Sequence, residues 1–266
     1  MLKKIDIKYS NFDKLIKIFS RDYYISKLAR ICFDFTKILK IKIVSDFKYI
    51  DLNSNFILSG LNLAYLGYLS KNQVQFNTNT ILWPDGFFRK RLIASKLDKV
   101  PGRTFLRNIN LSFDCKIKRI FVFGNLADMS LKYLKEKFTN KQIIHIDLPY
   151  GNLNDFKNLI PVFEESDLCI CTLPTPKQEI LADFVSKKQK YFKFICLGGA
   201  INMVSGMEKP VPKFLEKVFF AETIWRLQFE TKRRSTRLLI SIYYYFIGEI
   251  RNKYKNIKFD ILDEKL

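Results

Sequence analysis

Through the middle of the chain, short unbroken apolar runs alternate with stretches whose apolar residues recur at helical spacing. Phe56 to Gly60 reads as a strand leading through Leu61 and Asn62 into a helical segment that ends near Leu69. Ile81 to Trp83 forms a brief strand, Pro84-Asp85-Gly86 a turn, and Phe87 opens a basic helix. Ile117 to Phe123 predicts a strand, Gly124-Asn125 a loop and Ala127 to Phe138 a helix. Gln142 to Leu148 predicts the next strand, and Leu153 to Glu165 the next helix. The run Leu168 to Leu173 stops at Pro174, and Pro176 opens a helix with Gln178 and Glu179 in its first turn. Phe192 to Leu197 then runs into Gly198-Gly199. Fully apolar strands alternating with helices of this length predict an α/β fold, a Rossmann-like, mostly parallel sheet flanked by helices. Such sheets bind ligands beyond the carboxyl ends of their strands, where helix N–H groups lack partners. The stretch Asp167 to Glu179 is therefore the expected substrate region.

The two ends differ in character from this core. Residues 1–55 are basic and aromatic, with helical spacing around Phe12 to Ile18 and Ile25 to Phe35. They read as a helical layer over the sheet or as a membrane- or partner-facing flap. Residues 56–206 form the expected core, and 207–266 a helical appendage. In that appendage Phe214, Val218, Ala221, Trp225 and Phe229 predict an amphipathic helix from about Pro212 to Glu230. Lys232, Arg233, Arg234 and Arg237 then precede the apolar, Tyr-rich run Leu238 to Ile250, and a basic tail follows. That run is shorter than the ~20 residues a spanning helix requires. Flanked by cations, it suits a segment lying in the lipid headgroup layer; a final core helix with solvated ends is the alternative.

Composition narrows the chemistry. With 46 Lys and Arg against 26 Asp and Glu among 266 residues, the formal charge of +20 favours an anionic partner. No nucleic-acid-binding signature accompanies the charge, so nucleic acid is not expected. The glycines form neither a dinucleotide fingerprint nor a phosphate-binding GxxxxGK[ST] loop, and no cofactor is expected. The five cysteines are scattered, mostly in apolar runs, and read as reduced core thiols of a cytoplasmic protein. His145 is the sole histidine and sits in an apolar run, which argues against a His-dependent triad and reads as a satisfied strand residue. The chain opens without a secretory signal pattern.

Several motifs fall in a fixed order: Asn62 after the first strand, Pro84-Asp85-Gly86, Gly102, and Phe121 to Asn125 (FVFGN). Pro176-Lys177-Gln178-Glu179 and Gly198-Gly199-Ala200 follow, then Glu222 with Trp225-Arg226-Leu227, Arg233 and Arg237. In this order, over roughly Ile57 to Arg237, the sequence resembles the WecG/TagA/CpsF family of bacterial glycosyltransferases. The resemblance implies an inverting enzyme that moves a sugar (a hexose, an N-acetylhexosamine or its uronic acid) from a UDP donor. The acceptor would be a sugar on a polyprenyl diphosphate, in cell-surface polysaccharide synthesis. It implies Asp85 as general base, Asn62 as a sugar-placing residue, and Gln178 with Gly199 and Ala200 around the uridine. Gly124, Glu179 and Asn202 count with these as substrate-binding, while Arg226, Arg233 and Arg237 would face phosphates.

No Asp-x-Asp pair occurs in the chain. Charge on the departing UDP would then be met by arginines and helix N-termini, with no metal. The expected location is the inner face of the cytoplasmic membrane, peripheral on an anionic surface, and a homo-oligomer is compatible with it. Asn202 stands where the family usually has Asp, and Pro210 where Arg is usual. Those two positions support the alternative: a degenerate member that binds a nucleotide-sugar or a partner without turnover.

Overall fold

The computed structural model describes residues 39–71, 77–86, 97–111, 114–148, 151, 153–209, 212, 225, 231–250, 254 and 257–262. The chain divides into two compact units, and all of these residues belong to the second, Leu39–Leu266. The helical patterns expected within residues 1–38, from Phe87, and across Pro212 to Glu230 (Pro212 and Trp225 apart) lie outside the described residues, as do Pro210 and Glu222.

The described residues form one sheet of eight parallel strands with helices around it, an α/β Rossmann-like fold. Its strands are β1 (Leu39–Ile43), β2 (Phe56–Gly60), β3 (Thr80–Trp83), β4 (Arg119–Phe123), β5 (Gln142–Ile146), β6 (Asp167–Cys171), β7 (Lys193–Cys196) and β8 (Ile257–Ile261). In space they run β5-β4-β6-β7-β2-β3-β1-β8. The helices are α1 (Leu63–Lys71), α2 (Gly102–Asn108), α3 (Asp128–Lys137), α4 (Leu153–Phe156), α5 (Lys177–Lys188), α6 (Ala200–Val204) and α7 (Thr231–Ile250).

Burial explains which runs became which strands. The inner strands β2, β3, β6 and β7 are buried at every position, as both-face coverage of a parallel sheet demands. Alternate residues feed opposite cores. Leu58, Trp83, Val122 and Ile170 pack with Phe105 and Leu134 on one face. Phe121, Cys169, Phe194 and Cys196 pack with Leu181 and Val185 on the other. Asp167 at the start of β6 is buried and takes both forks of the Arg119 guanidinium from β4, at 2.7 and 2.8 Å. Hydrogen bonding to Asp167 pushes the Arg119 pKa up, and the pair pins the amino end of the sheet.

Three features differ from the sequence pattern. The sheet takes β1 and β8 from segments expected to be helical ends, so its limits pass 56 and 206 on both sides. The helix expected to reach Glu165 ends at Phe156, with a 3-10 turn over Lys157–Leu159. Pro161 explains why the 3-10 turn goes no further, because the residue before a proline, Ile160, is steered out of the helical region and is extended. Gly102, expected in a loop, is the first residue of α2.

Helix α7 forms a second layer over α1. Ser70 Oγ donates to the Tyr244 carbonyl at 2.5 Å, and Tyr254 Oη donates to the Leu66 carbonyl at 3.0 Å. Gly67 lets the helices approach, since a Cβ there would lie 3.1 Å from the Ser241 carbonyl. At its amino end Arg234 forms a half-buried ion pair with Glu208, 2.7 Å apart. Among the described residues no helix is long and apolar enough to cross a membrane.

Candidate active site

The register of the sheet sets the site. One row runs Ile146, Phe123, Cys171, Cys196, Ser59, Leu82, Ile43, Ile261 across all eight strands. Residues that follow this row leave the sheet together at its carboxyl edge. They include Gly124, the Thr172 to Pro176 loop, Gly198-Gly199, Gly60 to Asn62, and Pro84-Asp85.

Asp85 is held on both oxygens. Its Oδ1 accepts from the Gly102 N–H at 2.9 Å, the first amide of α2. Its Oδ2 accepts from Asn62 Nδ2 at 3.1 Å. Asn62 spends its own Oδ1 on the Tyr65 N–H at 3.1 Å, capping α1. The amide serves both ends at once, whereas a carboxylate could cap the helix but could not donate to Asp85. Gly60, the last residue of β2, makes room for this arrangement. A Cβ there would stand 2.9 Å from Asp85 Oδ2 and 3.0 Å from the Trp83 ring. Trp83 is buried and stacks on Phe105 of α2 at 4.6 Å, which fixes the strand that carries Asp85 against the helix that binds it.

The other side of the edge is built from the loop before α5. Its Thr175-Pro176 bond is cis. Gln178 is buried; its Oε1 accepts from the Gly198 N–H at 2.9 Å, and its Nε2 donates to Thr175 Oγ1 and Glu179 Oε1. The Gln178 amide thus ties α5 to the Gly198-Gly199 turn. Gly199 caps α6 and Ala200 begins it; a Cβ on Gly102 would lie 3.2 Å from the Ala200 Cβ, so α2 and α6 meet at their amino ends. Through that contact the Gln178 side and the Asp85 side join. Arg237, exposed on α7, donates to the Thr175 carbonyl at 3.4 Å and so brings a cation to this loop.

Gly124 lies where β4 gives way to its loop, with φ +128°. Its carbonyl lies 2.7 Å from His145 Nε2, which makes His145 the satisfied strand residue that the sequence predicts. Asn202 is turned toward α3, its Oδ1 3.4 Å from Ser130 Oγ, and its carbonyl accepts from the Glu208 N–H at 2.9 Å. Arg226 and the side chain of Arg233 lie outside the described residues.

Sequence reasoning missed Ser59 and Thr175. Ser59 had a signal: it is the one hydroxyl in the apolar run Phe56 to Gly60, and a buried polar residue there needs a partner. That partner is Glu179 Oε1, 2.8 Å away. Among the described residues no group of three or more His, Cys, Asp or Glu side chains is arranged to hold a metal ion.

A model of the WecG/TagA/CpsF glycosyl transferase family matches residues 76–258, well over half of the chain. No curated protein matches the chain significantly. The matched span runs from just before β3, the strand that leads to Asp85, through α7 to the start of β8. The chain belongs to the WecG/TagA/CpsF family of glycosyltransferases.

Proposed function

We propose that this glycosyltransferase moves a sugar from a UDP donor to a sugar carried on a polyprenyl diphosphate, with inversion and with Asp85 as the base. The observation that carries the reading is the doubly held Asp85 carboxylate at the carboxyl edge of the sheet. A carboxylate has about four acceptor positions, so Asp85 can take a hydroxyl proton while the Gly102 and Asn62 donors hold it in place. The acceptor hydroxyl passes its proton to Asp85, its oxygen bonds to the anomeric carbon, and the bond from that carbon to UDP breaks. UDP leaves with the electron pair. A fixed base within hydrogen-bond reach contributes rate by acting only as the new bond forms.

The loop from Thr175 to Gln178, with Gly198 to Ala200, fits a role as the uridine wall through its backbone. The Gln178 side chain sets that wall's position, since its amide is engaged within the protein. Arg237 beside Thr175 suits the diphosphate. With arginine and backbone amides meeting the leaving-group charge, EDTA should leave turnover unchanged. Rates measured before and after chelation, then with Mg²⁺ or Mn²⁺ restored, check this; loss of activity reversed by metal would contradict it.

A peripheral position on the inner face of the membrane has its own support. Leu239, Tyr243, Phe246 and Ile250 recur at spacings of four, three and four on α7, and all are exposed. The opposite face, with Ser241, Tyr244 and Tyr245, is spent on α1 and Tyr254. The first turns of α7 are cationic and Arg251 follows its end, so basic residues flank the apolar stretch, which suits an anionic lipid surface. Truncation cannot test this, because β8 and Tyr254 lie further along and belong to the sheet and core. Point changes can. Leu239→Glu with Phe246→Glu should weaken partitioning onto phosphatidylglycerol vesicles by about tenfold or more, with unaltered melting. Unchanged sedimentation with vesicles would remove the anchor.

UDP-sugars screened against a short-chain polyprenyl-diphosphate sugar, with product mass as the readout, test the reaction itself. The turn of the Asn202 amide toward Ser130 favours a second reading, a member that binds a nucleotide-sugar without turnover. UDP binding with no product across the screen would support that reading.

A further inference from the structure

Glu179 is buried at 6% exposure, yet it belongs to no ion pair among the described residues. Its Oε1 alone takes three donors: Ser59 Oγ from β2 at 2.8 Å, Gln178 Nε2 at 2.9 Å and Thr175 Oγ1 at 3.1 Å. Its Oε2 is buried without a hydrogen-bond partner. Burial raises the Glu179 pKa, against the lowering pull of the Ser59, Gln178 and Thr175 hydrogen bonds. The ionisable groups that feel its charge are Tyr65 from α1, Cys171 from β6 and Cys196 from β7. Burial pushes the Cys171 thiol up to about 12 and raises the other two as well, so no cation compensates the carboxylate from these directions. A carboxyl group in such surroundings is costly unless its hydrogen bonds do something an apolar side chain cannot.

What they do is join distant pieces of the edge. Ser59 precedes Gly60, which abuts Asp85, and Asn62, which donates to Asp85. Thr175 and Gln178 form the loop that holds Gly198. One oxygen therefore spans from the Asp85 side to the Gln178 side. We propose that Glu179 is a positioning residue that yokes the two walls of the site, holding the end of β2 in register with the Thr175 to Gln178 loop. Naming the walls as acceptor and donor sides rests on the transferase reading above; the coupling itself does not. An apolar replacement would strand Ser59 Oγ, Thr175 Oγ1 and one Gln178 amide hydrogen together, whereas Gln keeps an acceptor oxygen at the junction.

Amide hydrogen exchange read on peptides covering 58–62, 84–86 and 197–200 tests this in Glu179→Gln, Glu179→Ala and Ser59→Ala. Glu179→Ala should exchange about tenfold faster in all three segments, the size expected from losing one or two hydrogen bonds. Glu179→Gln should restore protection to near wild type. Ser59→Ala should speed 58–62 and 84–86 and leave 197–200 protected. In turnover assays Ser59→Ala should lower kcat by about tenfold with the KM for the UDP-sugar unmoved, because it loosens only the Asp85 side. Faster exchange confined to the first turn of α5 in Glu179→Ala overturns the proposal. So does a rise in KM with unchanged kcat in Ser59→Ala, or a Glu179→Gln as loose as the alanine variant. If Glu179→Ala does not fold, Ser59→Ala and Glu179→Gln still decide the matter. If the wild type turns over no donor, the transferase reading fails while the exchange pattern continues to judge the coupling.

Discussion

Asp85→Asn is expected to lower kcat by about 10²- to 10⁴-fold, the range that a positioned general base contributes. UDP affinity should hold within about threefold, since the base acts on the acceptor hydroxyl rather than on the nucleotide. The substitution carries a second, smaller effect. Asp85 accepts from Gly102 N and from Asn62 Nδ2, and an asparagine turns one acceptor into a donor. The Asn62 side cannot adapt by flipping, because its Oδ1 caps α1 at the Tyr65 N–H. One donor therefore faces another, at a stability cost of about 1–2 kcal/mol. Product formation and calorimetric UDP binding, measured beside a urea melt, separate the two effects. A variant that turns over within about tenfold of wild type would remove Asp85 from the chemistry.

Gly124→Ala should destabilise the protein by about 2–4 kcal/mol, the sum of two effects that can be told apart. A Cβ at this position would lie 2.3 Å from Thr172 Oγ1, and φ is +128°, a region that L residues rarely adopt. The backbone alone accounts for about 1–3 kcal/mol. Displacing the Thr172 hydroxyl also breaks its 3.0 Å bond to the Phe123 carbonyl, worth about 1 kcal/mol net. Thr172→Ala in the Gly124→Ala background should cost little more, because the bond it removes is already broken there, and the backbone strain should remain in full. Equilibrium urea unfolding of the two single variants and the double variant reads this directly. A Gly124→Ala within about 0.5 kcal/mol of wild type would mean that β4 ends differently at this point.

The inner strands were legible because a strand covered on both faces must be apolar along its whole length, as Leu168 to Cys171 is. The edge strands were not. In β1 the sequence LKIKI alternates Leu and Ile with Lys, and β8 follows a basic stretch, so neither carries the signal of a covered strand. Both joined the sheet because β3 offered β1 an open edge, and β1 then offered its own edge to β8. The length of α7 was half visible. Its apolar run was read, but its first turns are cationic and became helix because they continue a segment already packed on α1.

At the candidate site the residue types were readable and their partners were not. The Pro84-Asp85-Gly86 turn, the PKQE segment and the Gly-Gly-Ala turn each stand at the end of an apolar run, which by itself assigns them to the carboxyl edge of a parallel sheet. A glutamine in the first turn of a helix reads as a ligand contact; in the structure Gln178 is a strut to Gly198.

The sequence alone, through runs and periods that operate within some ten residues, determined that this is a parallel α/β protein. It also determined that Asp85, Gln178 and Gly199 leave the sheet on one side. Tertiary structure alone decided the strand order, the Asn62 and Gly102 donors on Asp85, and the Ser59 bond to Glu179 that crosses 120 positions of chain. The physical reason is range. Apolar periodicity is a local property of the backbone, whereas a hydrogen bond between distant residues exists only once crossover connections have brought two strand ends into the same row.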